Sequence, residues 1–196
     1  MNNYLNKPII DRMRELEEIN SEDAEFDREY DLRLRQVPAE TGEFLALLAN
    51  VAPEGNFIEV GTSAGYSALW ISLACRKKSA KLTTFEILPN KIDLARETIF
   101  KTNSGDYIEL VSGDARGYLD SFDNISFCFL DATSDVYIGV YEKVVPRLVK
   151  GGILVADNAI SHRQEIESVI ARAEEDPRVD SSIIGVGKGE MVVVKK

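Results

Sequence analysis

Glu59-Val60-Gly61-Thr62-Ser63-Ala64-Gly65-Tyr66-Ser67 is the stretch whose reading decides the fold. Phe57 and Ile58 lead into it and a helical pattern follows, so it reads as a strand, a glycine turn and the start of a helix. Glycine lets the backbone turn sharply and come close to a ligand, while a helix start offers free N–H groups to an anionic group. A nucleotide-type ligand is the expectation. A dinucleotide fingerprint wants glycines two and five positions after the first, where this chain has Ser63 and Tyr66. An NAD-type reading loses ground at once, and no hydride-chemistry residues stand out.

Working outward, four more apolar runs end as the first does: 82–85 into Glu86, 108–111 shortly before Asp114, 127–130 into Asp131, and 153–156 into Asp157. Residues 41–52, 67–76, 90–101, 136–149 and 162–175 read as helices, with Pro53-Glu54-Gly55 as turn chemistry before the first strand. On 136–149 Tyr141, Val144, Val145 and Leu148 share one face, and Lys150-Gly151-Gly152 reads as a glycine C-cap ending that helix. Segments 181–186 and 191–194, around Gly187-Lys188-Gly189, read as a terminal hairpin. With right-handed crossovers this predicts an α/β fold, a Rossmann-like doubly wound sheet of about seven strands, mostly parallel with an antiparallel last strand. Parallel strands present their carboxyl ends together, so all five acids fall on the edge where open α/β sheets bind ligands. Glu86 lies 21 residues after Gly65, where a carboxylate accepts hydrogen bonds from both ribose hydroxyls of an adenosine cofactor.

The bulk numbers agree. At 196 residues, 44% hydrophobic and 29% charged, the chain suits one domain over 1–196: a helical arm at 1–35 and a core at 36–196. Within the arm Ile9, Met13, Leu16 and Ile19 recur at helical spacing, as a helix capping the domain or as a dimerisation arm or lid. No run approaches the ~18 to 20 apolar residues of a membrane span, and MNNYLNKPIIDR lacks a signal-peptide layout, so a cytoplasmic protein is expected. Cys75 and Cys128 read as small reduced core residues. A net charge of −10 argues against sequence-independent nucleic-acid binding, although Arg76, Lys77, Lys78 and Lys81 form a local basic cluster.

Taken in order, E-x-G-x-x-x-G-Y-S, Phe85-Glu86, Ser112-Gly113-Asp114-Ala115, Phe129-Leu130-Asp131-Ala132 and Leu148 through Asp157-Asn158 resemble the small metal-dependent, S-adenosylmethionine-dependent O-methyltransferases of the catechol and caffeoyl-coenzyme A type. The segment Arg35-Gln36-Val37-Pro38-Ala39-Glu40-Thr41-Gly42 resembles what precedes the core there. The resemblance implies a seven-stranded methyltransferase sheet binding the cofactor over the first three strand ends. Glu59, Gly61 and Ser63 would line its methionine part, Gly65 and Tyr66 would shape the turn and pocket, and Ser67 would hold the carboxylate. Glu86 would take the ribose, and Asp114 with Ala115 the adenine. Asp131, Asp157 and Asn158 form a hard all-oxygen set that suits Mg²⁺, and the family's matching residues bind that ion. Asp131 thus counts as catalytic, cofactor-facing and metal-binding. A small hydroxylated acceptor, such as a catechol, and a homodimer are implied as well.

One departure stands out. Catechol-type members of that family usually carry a lysine base three positions after the first metal aspartate, and this chain has Ser134. His162, the sole histidine, follows Asp157-Asn158 by a short loop and is the candidate replacement, with a solvent-facing helix start as the bland alternative. Trp70 reads as core, Tyr137 and Tyr141 as packing residues or neighbours of the metal site, and Arg116 as an adenine cover or a solvated side chain. Two other functions stay open: a tRNA-modifying O-methyltransferase using the basic cluster, and a catalytically weak cofactor-binding module.

Overall fold

The computed structural model describes residues 5–25 and 29–196, so the expected arm over 1–35 lies outside the described residues at 1–4 and 26–28. Helix α1 (Lys7–Glu25) buries Ile9, Met13 and Leu16, and Ile19 packs against the same cluster. The stripe therefore faces inward and caps the fold. Arg12 goes in with it, its Nε donating to Thr98 Oγ1 at 3.0 Å and its Nη1 pairing with Glu15 at 2.8 Å. A buried guanidinium is tolerated because it is paired.

Strands β1 (Asn56–Val60), β2 (Leu82–Glu86), β3 (Ile108–Ser112), β4 (Ile125–Leu130), β5 (Leu148–Ala156), β6 (Val179–Ile184) and β7 (Glu190–Lys195) form a seven-stranded sheet of order β3-β2-β1-β4-β5-β7-β6. The first five are parallel, and β7 runs antiparallel to both β5 and β6. Alternate residues of each strand enter opposite layers: Phe57, Phe127, Phe129, Ile153 and Val155 on one side, Ile58, Cys128, Leu130, Leu154 and Ala156 on the other. Covering both faces is what makes these strands read as unbroken apolar runs. Helices α2 (Ala39–Val51) and α3 (Tyr66–Lys78) join α1 on the first side. Helices α5 (Tyr137–Val144) and α6 (Arg163–Glu175) close the second, while α4 (Pro89–Lys101) links β2 to β3. Cys75 and Cys128 are free and buried, and burial pushes the Cys75 thiol up to about 12.

The expected helix over 136–149 is cut short. It ends at Val144, a 3₁₀ turn follows over Val145–Arg147, and β5 already begins at Leu148. Pro146 has no N–H to extend the ladder, and its ring crowds the carbonyl one turn back. Lys150-Gly151-Gly152 is consequently no C-cap. Ile125 pairs with Leu148 and Phe127 with Ile153, so 149–152 bulge out of the β4–β5 ladder, with Gly151 at φ +76°.

Where α2 crosses α3, the Trp70 ring, 8% exposed, packs against the bare backbone of Gly42. A Cβ there would meet Trp70 Cδ1 at 2.2 Å, deep inside contact distance. Gly42→Ala is therefore expected to destabilise the protein by about 1 to 3 kcal/mol despite alanine's better helix propensity. A thermal melt unchanged or raised in that variant would show that the indole has room to move.

Candidate functional site

The site begins where the sheet reverses its winding, between β1 and β4. Asp131 N–H donates to Val60 O at 2.9 Å, and Gly61 N–H to Phe85 O at 3.0 Å. Gly61 has φ +100°, and a Cβ on it would stand 2.1 Å from Asp131 O. Only glycine permits that approach. Ser63 takes φ +46° as the turn reverses, and Gly65 N–H closes it on Thr62 O at 2.9 Å before α3 starts.

A cavity of about 870 Å³ opens over this edge. At one end Gly61, Ser63, Tyr66, Ser67 and Glu86 form its wall, with Asp114 and Ala115 beyond. Glu86 accepts from Ser63 N–H at 2.8 Å on one carboxylate oxygen and from Ile87 and Leu88 N–H at 2.8 and 3.0 Å on the other. The carboxylate is thereby held rigid with one lone pair left over, on the oxygen that takes Ser63. Asp114 is turned back on its own turn, gripped by the Arg116 guanidinium at 2.6 Å, which holds its carboxyl below the usual range. Arg116 is half exposed beside it. Tyr66 donates to Glu17 Oε1 at 2.5 Å, tying α3 to α1.

Glu59 does not reach the wall as expected. It is fully buried behind it, accepting from Ser67 Oγ at 2.6 Å and Thr84 Oγ1 at 2.5 Å. Strand alternation turns it toward α3, one layer beneath the cavity floor, and Gly65 likewise backs the turn without lining it. Burial pushes the Glu59 carboxyl up to about 7 against the lowering pull of its two hydroxyl donors.

The other end holds Asp131, Asn158 and His162, with Asp157 directly behind. Asp157 is wholly buried; no N–H or hydroxyl group donates to its carboxylate, and the Glu190 carboxyl stands against it. Burial and the Asp157 charge push the Asp131 carboxyl upward. Asn158 stands at φ +72°, a conformation asparagine tolerates, and its Nδ2 donates to Asp131 Oδ1 at 3.3 Å. Among the described residues no three His, Cys, Asp or Glu side chains converge to hold a metal. The set present is two carboxylates and an amide, and desolvated carboxylate oxygens without donors fit a hard divalent cation. His162 is exposed at the mouth, its Nδ1 2.8 Å from Ser161 Oγ. Tyr137 borders Asp157, its hydroxyl donating to Asp157 O at 3.4 Å, whereas Tyr141 turns away to Asp176 at 3.1 Å.

Three features escaped the sequence reading. Glu190, at the start of β7, is fully buried, takes the Thr41 hydroxyl at 3.3 Å, and is pushed upward by burial and by Asp157. A charged residue opening an apolar strand after two close glycines was the available signal. Lys188 lines the cavity from the β6–β7 turn. A segment over 31–37 forms one wall, tied down by Lys91 Nζ to the carbonyls of Leu32 and Arg33, by Asn90 to Asp31 O at 3.0 Å, and by Ser63 Oγ to Leu34 O at 2.9 Å. Burial lowers the Lys91 ammonium.

A model of the O-methyltransferase family matches residues 11–196, and the chain belongs to that family. It is 26% identical over 161 residues to a catechol O-methyltransferase of Mycobacterium tuberculosis, covering 76% of this chain and 73% of that one. Against caffeoyl-CoA O-methyltransferase 1 of Eucalyptus globulus identity is 23% over 201 residues, covering 90% and 78%. A solved methyltransferase of Podospora anserina, bound to SAH, superposes with a TM-score of 0.80 at 22% identity over 98% of this chain and 89% of that one.

For Glu59 the folded value of about 7 lies above the ordinary 4.5, so folding favours its protonated form. The unfolded chain releases that proton first as pH rises, and stability falls between about 4.5 and 7 before levelling. Glu59→Gln is expected to lose this slope. Urea unfolding across that window should show the unaltered protein losing ground to the variant; parallel curves would mean that the carboxyl is already ionised when folded.

Proposed function

We propose that this chain transfers a methyl group from S-adenosylmethionine to a hydroxyl of a small, catechol-like acceptor anchored by a divalent cation at Asp131, Asp157 and Asn158. The observation that carries the reading is the buried Asp157 carboxylate, to which no N–H or hydroxyl group donates and against which only the Glu190 carboxyl stands, behind Asp131 and Asn158 on a cavity that runs on to Glu86. The cofactor supplies an electrophilic methyl group on sulfur, and Mg²⁺ or a like cation lowers the acceptor's hydroxyl pKa and fixes its direction.

The chain's own groups position and exclude. Glu86, held by three backbone N–H groups, offers its remaining lone pair, on Oε2, to a ribose hydroxyl. The turn at Gly61 to Ser63 leaves backbone exposed to the methionine part, with Tyr66 and Ser67 beside it. Ala115 and Asp114 face the adenine end, where Arg116 has to share the Asp114 carboxylate with the base. The wall over 31–37 shuts water out of the methionine end. Holding two reactants in line this way supplies on the order of 7 to 11 kcal/mol of the barrier. His162, at the mouth, takes the acceptor's proton toward solvent. The reading treats 1–196 as a single catalytic domain working in the cytoplasm as a homodimer, and among the described residues no helix is long and apolar enough to cross a membrane.

A tRNA acceptor is less well supported. The basic cluster sits at the far end of α3, about 20 Å from the cavity at 1.5 Å per helical residue. Within it Lys78 donates to Ala52 O at 2.7 Å, and Arg76 lies over the Tyr107 ring at 4.5 Å. Two of its cations already serve the fold.

Titration calorimetry with S-adenosylmethionine should give heat in the presence of a chelator, while methylation of catechol should need Mg²⁺. Activity that survives exhaustive chelation removes the metal, and no heat removes the cofactor. Asp157→Asn is expected to weaken Mn²⁺ binding, read by electron paramagnetic resonance, by about a hundredfold or more. His162→Ala should cut turnover about a hundredfold; an unchanged rate dismisses the imidazole.

A further inference from the structure

We infer that Lys188 is the cation that holds the acceptor oxygen in its ionised, attacking form, an inference that rests on the methyl-transfer reading above. The β6–β7 turn that carries it is pinned against the chain just past Asn158: Ala159 N–H donates to Gly189 O at 2.8 Å, and Ser161 N–H to Lys188 O at 2.9 Å. Gly189, at φ +93°, passes so close that a Cβ would stand 2.7 Å from Ile160 N. The turn has no room to move inward and is tied against moving out.

From that fixed backbone the half-buried Lys188 side chain lines the end of the cavity that holds Asp131, Ser134, Tyr137, Asn158 and His162. Among the described residues no ion pair or hydrogen bond claims its ammonium. Of the cavity's other cations, Lys91 donates to the carbonyls of Leu32 and Arg33 and Arg116 to Asp114, while Arg33 and Arg35 belong to the wall over 31–37. At this end, then, Lys188 is the lysine that lines the cavity beside the acids and the amide, where an acceptor oxygen would lie.

The step balances as follows. The acceptor hydroxyl gives up its proton toward solvent, and its oxygen lone pair forms the new O–CH₃ bond. As that bond forms the S–CH₃ bond breaks, and its electron pair stays on sulfur to give the neutral thioether. Negative charge on oxygen is greatest just before attack, in a site already rich in carboxylates. A fixed ammonium is worth most there, because it needs no reorganisation as the charge develops. Neutral acceptors with weakly acidic hydroxyls should depend on it strongly, and acceptors that are already ionised in water should depend on it little.

The test compares catechol with 4-nitrocatechol, whose nitro group acidifies the reacting hydroxyl, in the full-length protein with S-adenosylmethionine and Mg²⁺. Lys188→Met is expected to lower kcat/KM for catechol about a hundredfold while that for 4-nitrocatechol stays within about threefold. Lys188→Arg, which keeps the charge, should stay within about tenfold on both. Calorimetric binding of S-adenosylhomocysteine, unchanged in both variants, shows that they are folded. Equal losses on the two acceptors, or no loss on either, overturn the inference while the methyl-transfer reading stands. If the unaltered protein binds S-adenosylhomocysteine yet methylates neither catechol, the acceptor reading falls and takes the inference with it.

Discussion

A single close approach between two backbones organises the rest of this molecule. Gly61 and Asp131 meet at the point where chain crossovers leave opposite faces of the sheet, and a Cβ at 61 would collide with Asp131 O at 2.1 Å. The contact keeps β1 and β4 in register to their last residues, with Val60 opposite Leu130. It also sets how near the cofactor end of the cavity lies to the acid-lined end. Had a side chain been required at 61, the two ends would be pushed apart and an in-line displacement across them would lose its alignment.

Around that contact the protein concentrates negative charge where water is scarce. Glu59, Asp157 and Glu190 are fully buried and Asp131 partly so, in a chain whose net charge is already −10. Burying carboxylates costs free energy unless they are hydrogen-bonded, protonated or paired with a cation. Each solves this differently. Glu59 has two hydroxyl donors, Glu190 has Thr41 and a carboxyl pushed toward its protonated form, and Asp157 has only that Glu190 carboxyl against it. That difference separates a structural acid from one placed to receive a ligand, and it comes from neighbours rather than from residue type.

The same distinction explains what was legible in the sequence. Five strands, their parallel order and the carboxylates at their ends followed from local apolar runs, because strands covered on both faces advertise themselves. The turn at Gly61 could be read for its glycines, and Glu86 for its distance from them. Glu59 sat in the same motif, yet whether a strand residue points to the cavity or beneath it depends on α3, which brings Ser67 against it. Gly151 and Gly152 read as a helix end, and the bulge they make instead follows from Pro146 and the pairing with β4. Glu190 and Lys188 matter only because β7 inserts beside β5, a pairing between segments more than thirty residues apart that no local pattern encodes.

That insertion has a consequence for how the molecule is made. β6 touches the sheet only through β7, which follows it in the chain and lies between it and β5. On the ribosome, β6 emerges before the strand that will attach it, and the flank of β5 stays bare until β7 arrives. A nascent chain caught in that interval displays an unpaired apolar edge, the kind that recruits chaperones or neighbouring copies. Completion of the acid-lined end, with Glu190 and Lys188, therefore coincides with the covering of the β5 flank.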